Sequence, residues 1–321
     1  VNFSLTELQH LYRDMLRIRL TEEAIAARYG EQEMRCPTHL CIGQEAICVG
    51  VAHALNRDDY VFSNHRAHGH YLAKGGNLPA LIGELYGKGN GCCGGMGGSM
   101  HLIDPEAGFM GAVPIVASTI PLAVGAAWAA QLKNSDQVSV AFFGDGAFEE
   151  GVVHESLNFA LLHHLPMVFV CENNLYSVYT RLDQRQPERP IHGVAAAHGC
   201  QVATADGNDV AAVVDTATQA IAQARQGKGP VFLEFSTYRW REHCGPDYDD
   251  DLGYRPQGEL QDWQQHCPIQ RLANQLKASG TDRTFFQEAK DTVDAEVAAA
   301  FQTALDAAPP RYNDLPGLLH G

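Results

Sequence analysis

The sequence predicts an α/β fold with a mainly parallel sheet flanked by helices, and three observations predict it. Residues 138–143 (VSVAFF) and 167–172 (MVFVCE) are continuous apolar runs of the kind found in strands buried on both faces. A helical pattern from about Glu149 to His164 lies between them, which makes a strand–helix–strand unit. Two further strand candidates, around 200–204 and at 231–236 (VFLEFS), flank a helix from about Val210 to Gln226 that ends near Gly227.

From the N-terminus, residues 4–29 read as an amphipathic helix. Ser4 is placed to cap it, Glu7 stands three residues later, and Leu8, Leu11, Met15, Ile18 and Ile25 recur at helical spacing. A second helix is expected from Gly43 to Leu55, and a short strand at Tyr60–Phe62 leads into the histidine-rich stretch 64–70. Residues 87–98 (GKGNGCCGGMGG) hold too much glycine for a helix or strand interior, so they read as a loop whose backbone can approach something closely. A small-residue helix comes next over roughly 119–132, and from Trp263 onward the chain reads as helical with an alanine-rich tail. With no clear linker or internal repeat, one α/β domain over 1–321 is expected, with a helical N-terminal arm over about 1–35 and a helical C-terminal extension over about 260–321.

Composition sets the classes of function. With 45% hydrophobic and 19% charged residues, 321 residues can bury a large core. A formal charge of −15 argues against a nonspecific nucleic-acid surface or an anionic-membrane surface, so an anionic ligand needs a local site. Nine cysteines without a C-x-x-C pair suggest reduced thiols and a cytoplasmic setting. The first 30 residues lack the apolar core of a signal peptide or membrane span, and the start at Val1 reads as a trimmed edge.

The chemistry concentrates after the first two apolar runs. Both strands of a right-handed βαβ unit point the same way, so the residues just after each strand lie on one edge of the sheet, and Asp145 and Asn174 are expected to meet there. A carboxylate and an amide oxygen are hard ligands suited to Mg²⁺ completed by phosphate oxygens and water. Gly144 and Gly146 keep side chains away, while the N-terminus of the next helix presents free N–H groups to a phosphate.

GDG at 144–146, with Asn173-Asn174 coming 26 residues later, resembles the thiamine-diphosphate motif. The surrounding sequence is similar to the α subunits of 2-oxo acid dehydrogenase E1 components of the pyruvate and acetoin dehydrogenase type. The resemblance covers most of residues 35–245 and rests on THLCIGQEA (38–46), HRAHGH (65–70), GGMGGSMH (94–101), GDGAFEEG (144–151), CENNLYS (171–177) and TYRW (237–240). It implies the thiamine-diphosphate-binding fold, with Mg²⁺ held by Asp145, Asn174 and the backbone carbonyl of Tyr176. It implies diphosphate contacts at Gly144, Gly146 and Ala147, and an arginine grip at Arg66, whose planar fork suits phosphate. His243 matches a histidine over the diphosphate and reaction centre, His39 one near the substrate, and the backbone around Val116 the segment facing the aminopyrimidine. His65, where pyruvate dehydrogenases carry tyrosine, is closer to the acetoin-type pattern and joins His39 and His243 as a candidate catalytic and cofactor-binding group. Pro114 replaces a common glycine, and the loop REHCGPDYDDD at 241–251 departs from the family's serine-bearing pattern.

The resemblance further implies a separate β subunit in an α₂β₂ tetramer, a lipoyl-bearing E2 as acceptor, and a 2-oxo acid or acetoin as substrate. The alternative it leaves is a two-subunit thiamine enzyme that forms or transfers a C–C bond without a lipoyl partner. Simpler readings cover the other motifs. Gly89, Gly91 and Gly94 satisfy G-x-G-x-x-G, but helix precedes them where a strand is needed. His68 and His70 read as structural, since no further zinc ligand set stands near them in sequence. Cys92 and Cys93 read as free thiols in a loop, and the acidic run 247–251 as a solvated face.

Overall fold

The computed structural model describes residues 3–311, so the end of the expected C-terminal extension, 312–321, lies outside the described residues. Its strands are β1 (Tyr60–Ser63), β2 (Phe109–Ala112), β3 (Ser139–Gly144), β4 (Met167–Asn173), β5 (Tyr176–Ser177), β6 (Thr180–Arg181), β7 (Gln201–Asp206) and β8 (Val231–Ser236). Six of them form one sheet in the order β2-β1-β3-β4-β8-β7, and every pairing in it is parallel. The expected α/β fold with a parallel sheet is therefore observed. β2 and the β5–β6 hairpin are additions to the sequence reading; each is too short and too poor in β-branched residues to show a period.

The helices are α1 (Leu5–Tyr29), α2 (Glu45–His53), α3 (His68–Ala73), α4 (Leu78–Leu85), α5 (Thr119–Leu132) and α6 (Gly151–Leu162), then α7 (Leu182–Arg185), α8 (Ile191–Ala197), α9 (Val210–Arg225), α10 (Glu259–Gln265), α11 (Pro268–Ala278) and α12 (Arg283–Asp306). The α1 cap is as the sequence predicts: the Ser4 side chain accepts from Glu7 N, while Glu7 accepts from Ser4 N at 2.7 Å. One boundary differs. The helix expected from about Glu149 begins as a 3₁₀ turn at Asp145–Glu149, and α6 proper starts only at Gly151.

The alternation of β3 and β4 explains the layers. Val140, Phe142, Val168 and Val170 face a core shared with α1, α2, α9 and the C-terminal helices. Ala141, Phe143, Phe169 and Cys171 face a second core under α5, α6 and α8. The chain runs outward from β1 to β2 on one side and from β3 to β4 on the other. Their carboxyl ends thus diverge at a topological switch point, where open α/β sheets form a crevice. Among the described residues no helix is long and apolar enough to cross a membrane.

The glycine loop has a specific reason for its composition. The buried Glu84 carboxylate, from α4, accepts backbone N–H bonds from Cys93, Gly95, Gly97 and Gly98. A Cβ on Gly95 would lie 2.5 Å from Lys88 O, and Gly95 has φ +79. The close approach expected of this loop is thus to a side chain of the same protein.

Candidate functional site

The crevice between the ends of β1 and β3 is a cavity lined by the residues singled out in the sequence except Asp145, which lies fully buried behind Asn174. Asn64, His65 and Arg66 enter from β1, Gly144, Gly146 and Ala147 from β3, and Asn174 and Tyr176 from β4. His39 arrives from the segment before α2, and His243 from the loop after β8. Val116 and Pro114 line the opposite wall.

At the base, Asn174 N donates to Asp145 Oδ1 at 3.2 Å, so the two meet across β3 and β4. Tyr176 N donates to Asn174 Oδ1 at 3.2 Å, which holds the amide oxygen in place on the turn after β4. The Asn174 amide nitrogen donates to Gln44 Oε1 at 3.1 Å, fixing which end of the amide is which. Nothing in the sequence assigns a role to Gln44, yet in the fold it aims a ligand-capable oxygen. Asp145 is fully buried, and burial pushes its carboxyl up while Arg185 pulls it down. Arg185, at the end of α7, pairs with both Asp145 and Glu149. Forty residues of sequence separate it from Asp145, and no motif announces it.

Gly144 and Gly146 act differently from each other. A Cβ at Gly144 meets nothing within 4 Å, whereas at Gly146 it would lie 2.6 Å from Ser177 Oγ. Gly146 therefore lets the β5–β6 hairpin close over the 3₁₀ turn. Ala117 (φ 62), Leu175 (φ 72) and Val178 (φ 54) adopt left-handed backbone, and all three are at the cavity or next to Asn174. For a β-branched valine this conformation is strained, and such strain gathers at functional sites.

Above the base, Arg66 is buried. Its Nη1 donates to Leu40 O at 2.7 Å and its Nη2 to His243 O at 3.1 Å, so it ties the segment before α2 to the loop after β8. Burial, aided by Arg239, lowers it to about 10. His39, His65 and His243 surround it, with ring centroids 4.7, 5.1 and 5.2 Å apart. Burial first, then the Arg66 charge, pushes them down to about 2, about 3 and about 3. Three uncharged imidazoles thus face the cavity. Arg66 Nη2 lies 3.5 Å from His243 Nδ1, and an arginine only donates, so the contact favours the His243 tautomer with its proton on Nε2.

His68 and His70 turn away from the cavity, as structural groups do. His68 links Glu22 (3.1 Å) to Ser99 (2.8 Å), and His70 links Ser63 (2.8 Å) to Glu172 (3.2 Å). His70 is raised to about 10: Cys48 and Glu172 outweigh the opposing burial. Cys92 and Cys93 are free thiols, as are the other seven cysteines. The acidic run 247–251 is a correction. Asp249 is buried between Arg239 (3.2 Å) and Arg255 (2.7 Å), so one carboxylate of the run is an internal anchor of the loop, not part of a solvated face.

The chain resembles known proteins over almost its whole length. The model of the family described as "Dehydrogenase E1 component" matches residues 13–312. The α subunit of acetoin:2,6-dichlorophenolindophenol oxidoreductase from Cupriavidus necator is 39% identical over 298 residues, 93% of this chain and 88% of the relative. Its counterpart from Bacillus subtilis is 37% identical over 315 residues, 97% and 93% of the two chains. The pyruvate dehydrogenase E1 component α subunit of Rhizobium meliloti is 39% identical over 278 residues, 86% and 78%. On this extent of match, the chain belongs to the dehydrogenase E1 component family.

Proposed function

We propose that this chain is the α subunit of a two-subunit E1 enzyme that uses thiamine diphosphate and Mg²⁺ to cleave a 2-oxo acid or acetoin and passes the acyl unit to a lipoyl acceptor. The observation that carries this reading is the meeting of Asp145 and Asn174 at the switch point, beneath a buried arginine and three neutral imidazoles. The donors fit the group. A buried carboxylate and an oriented amide oxygen are hard ligands, and the carbonyl of Tyr176 would add a third. Asp145 already holds a cation, the Arg185 guanidinium, so Mg²⁺ would replace that partner.

When bound, thiamine diphosphate supplies the nucleophilic carbon and the electron sink for breaking a bond beside a ketone. The chain's own residues do the rest. Arg66, Gly144, Gly146 and Ala147 would hold the diphosphate, and the open space at Gly144 leaves room for it. Pro114 and Val116 offer an apolar wall for the aminopyrimidine and exclude water. His243, neutral and protonated on Nε2, can deliver that proton to a substrate oxygen. His39 and His65 stand close enough to accept or relay one.

Among the described residues, the cavity lining holds no carboxylate facing the Val116 wall other than Glu172, which His70 engages. An acid–base group for the aminopyrimidine is therefore expected on a second chain, the β subunit, in an α₂β₂ assembly. The test is co-expression with a candidate β chain and turnover of a 2-oxo acid and acetoin panel with and without thiamine diphosphate and Mg²⁺. Cofactor-dependent turnover with transfer to a lipoyl domain is expected. Turnover indifferent to thiamine diphosphate overturns the reading.

A further inference from the structure

We propose that Glu259 is a positioning residue for the metal site: its carboxylate clamps the β5–β6 hairpin that carries Tyr176, whose backbone carbonyl would be the third oxygen ligand. This rests on the proposed function, since that carbonyl matters only if a metal binds beside Asn174. The hairpin needs a hold from outside. Its two strands have two residues each, and Leu175 before β5 and Val178 after it adopt left-handed backbone. Glu259, the first residue of α10, supplies the hold from 83 residues away in sequence. Its Oε2 accepts from Tyr176 Oη at 2.6 Å, and its Oε1 accepts from Arg181 Nη1 at 2.6 Å. Tyr176 and Arg181 stand opposite each other in the β5–β6 register, so one carboxylate grips both strands at one rung.

The clamp is itself anchored to the sheet. Glu259 Oε2 also accepts from Tyr238 Oη at 2.9 Å, and Tyr238, buried just after β8, stacks on Trp263 of α10 with centroids 5.4 Å apart and planes at 8°. The Arg255 guanidinium lies over the Tyr238 and Tyr176 rings at 4.9 and 5.7 Å. The Glu259 side chain is 13% exposed, so its bonds to the two phenols and the guanidinium are little weakened by water, and each is charge-assisted. Tyr176 turns this hold into ligand geometry. Its ring takes the clamp, its N–H holds Asn174 Oδ1 at 3.2 Å, and its carbonyl belongs to the same short stretch of backbone. Releasing the ring therefore frees the backbone that sets two of the three proposed oxygen ligands.

The experiment is calorimetric titration of Mg²⁺ in the presence of thiamine diphosphate, on the full chain co-expressed with the candidate β chain. Tyr176→Phe removes one hydroxyl and keeps the ring and the carbonyl, so it should fold, and it should weaken Mg²⁺ binding by roughly 10-fold. Glu259→Ala should weaken it by up to about 100-fold, the upper end of what losing a group behind a metal ligand costs. Glu259→Gln keeps one acceptor oxygen for the phenols and should lose less. Tyr176→Phe combined with Glu259→Ala should cost no more than Glu259→Ala alone, because both changes break the same bond. Hydrogen exchange across 175–181 should rise in both single variants before any metal is added. Arg271→Ala, which removes the ion pairs to Asp206 and Asp209 outside the cavity lining, should leave Mg²⁺ affinity unchanged. Unchanged Mg²⁺ affinity in folded Tyr176→Phe and Glu259→Ala, or losses that add in the double variant, would overturn the proposal and leave the cofactor reading standing. A wild-type chain whose thiamine diphosphate binding ignores Mg²⁺ would overturn both.

Discussion

Asp145 and Arg185 show how single residues balance stability against loading. Asp145→Ala should abolish Mg²⁺-dependent thiamine diphosphate binding in calorimetry, because the diphosphate charge loses its bridging ion. Arg185→Ala should tighten that binding, since no guanidinium then has to leave Asp145. The same variant should lower the unfolding stability of the unloaded chain by about 3 kcal/mol, the usual scale for stranding one buried partner. Calorimetry and urea melts together check both signs. The histidines predict a pH dependence. His39, His65 and His243 have folded values far below the unfolded value of about 6.5, so only the unfolded chain takes up their protons as pH falls. Their stabilising contribution is complete above about 6.5 and is lost from there down toward about 3. His70 has the opposite sign: its contribution is complete below about 6.5 and fades as pH rises toward about 10. Urea midpoints should therefore peak near neutrality, and replacing the three cavity histidines with asparagine should flatten the acid side alone.

At the scale of the element, the two loops near the site are held by buried carboxylates. The glycine loop closes on Glu84, and the loop after β8 closes on Asp249. Glu84→Ala should leave four N–H groups without their acceptor and cost about 3 kcal/mol or more, with hydrogen exchange rising across residues 93–98. Asp249→Ala should strand Arg239 and Arg255, raise exchange across 239–255 and disturb His243, which Arg66 holds only through one backbone carbonyl and a long ring contact. Unaltered exchange in the second variant would mean that the loop is held by Arg241 and Glu23 (2.5 Å) instead.

For the whole molecule, the site sits at the carboxyl ends of the strands, and Val116 and Val178 in its lining and their neighbours Ile115 and Tyr179 are exposed hydrophobic side chains. The proposed division of the reaction site between two polypeptides gives a direct prediction. The purified chain alone should show no turnover of any 2-oxo acid, and activity should appear only with the second subunit. Robust turnover by the isolated chain would show that this cavity is complete in itself.

Sequence alone determined most of the architecture and the base of the site. The apolar runs that became β3, β4 and β8 are buried on both faces, and such strands need no partner information to be recognised. Asp145 and Asn174 were legible together for the same reason, since a βαβ unit has one hand and fixes which residues share an edge. Arg66, His39 and His243 were legible only by family resemblance. Tertiary structure alone decided what distant segments do to one another. It placed Arg185 on Asp145 and Gln44 on Asn174, turned Glu84 into the centre of a glycine loop and drew Asp249 inside. It also gathered His39, His65 and His243, 26 and 178 residues apart in sequence, into one neutral cluster. The physical reason is that periodicity reports which side of its own element a residue faces. Ion pairs, carboxylate nests and ligand clusters depend on where separate elements end, and no local pattern carries that information.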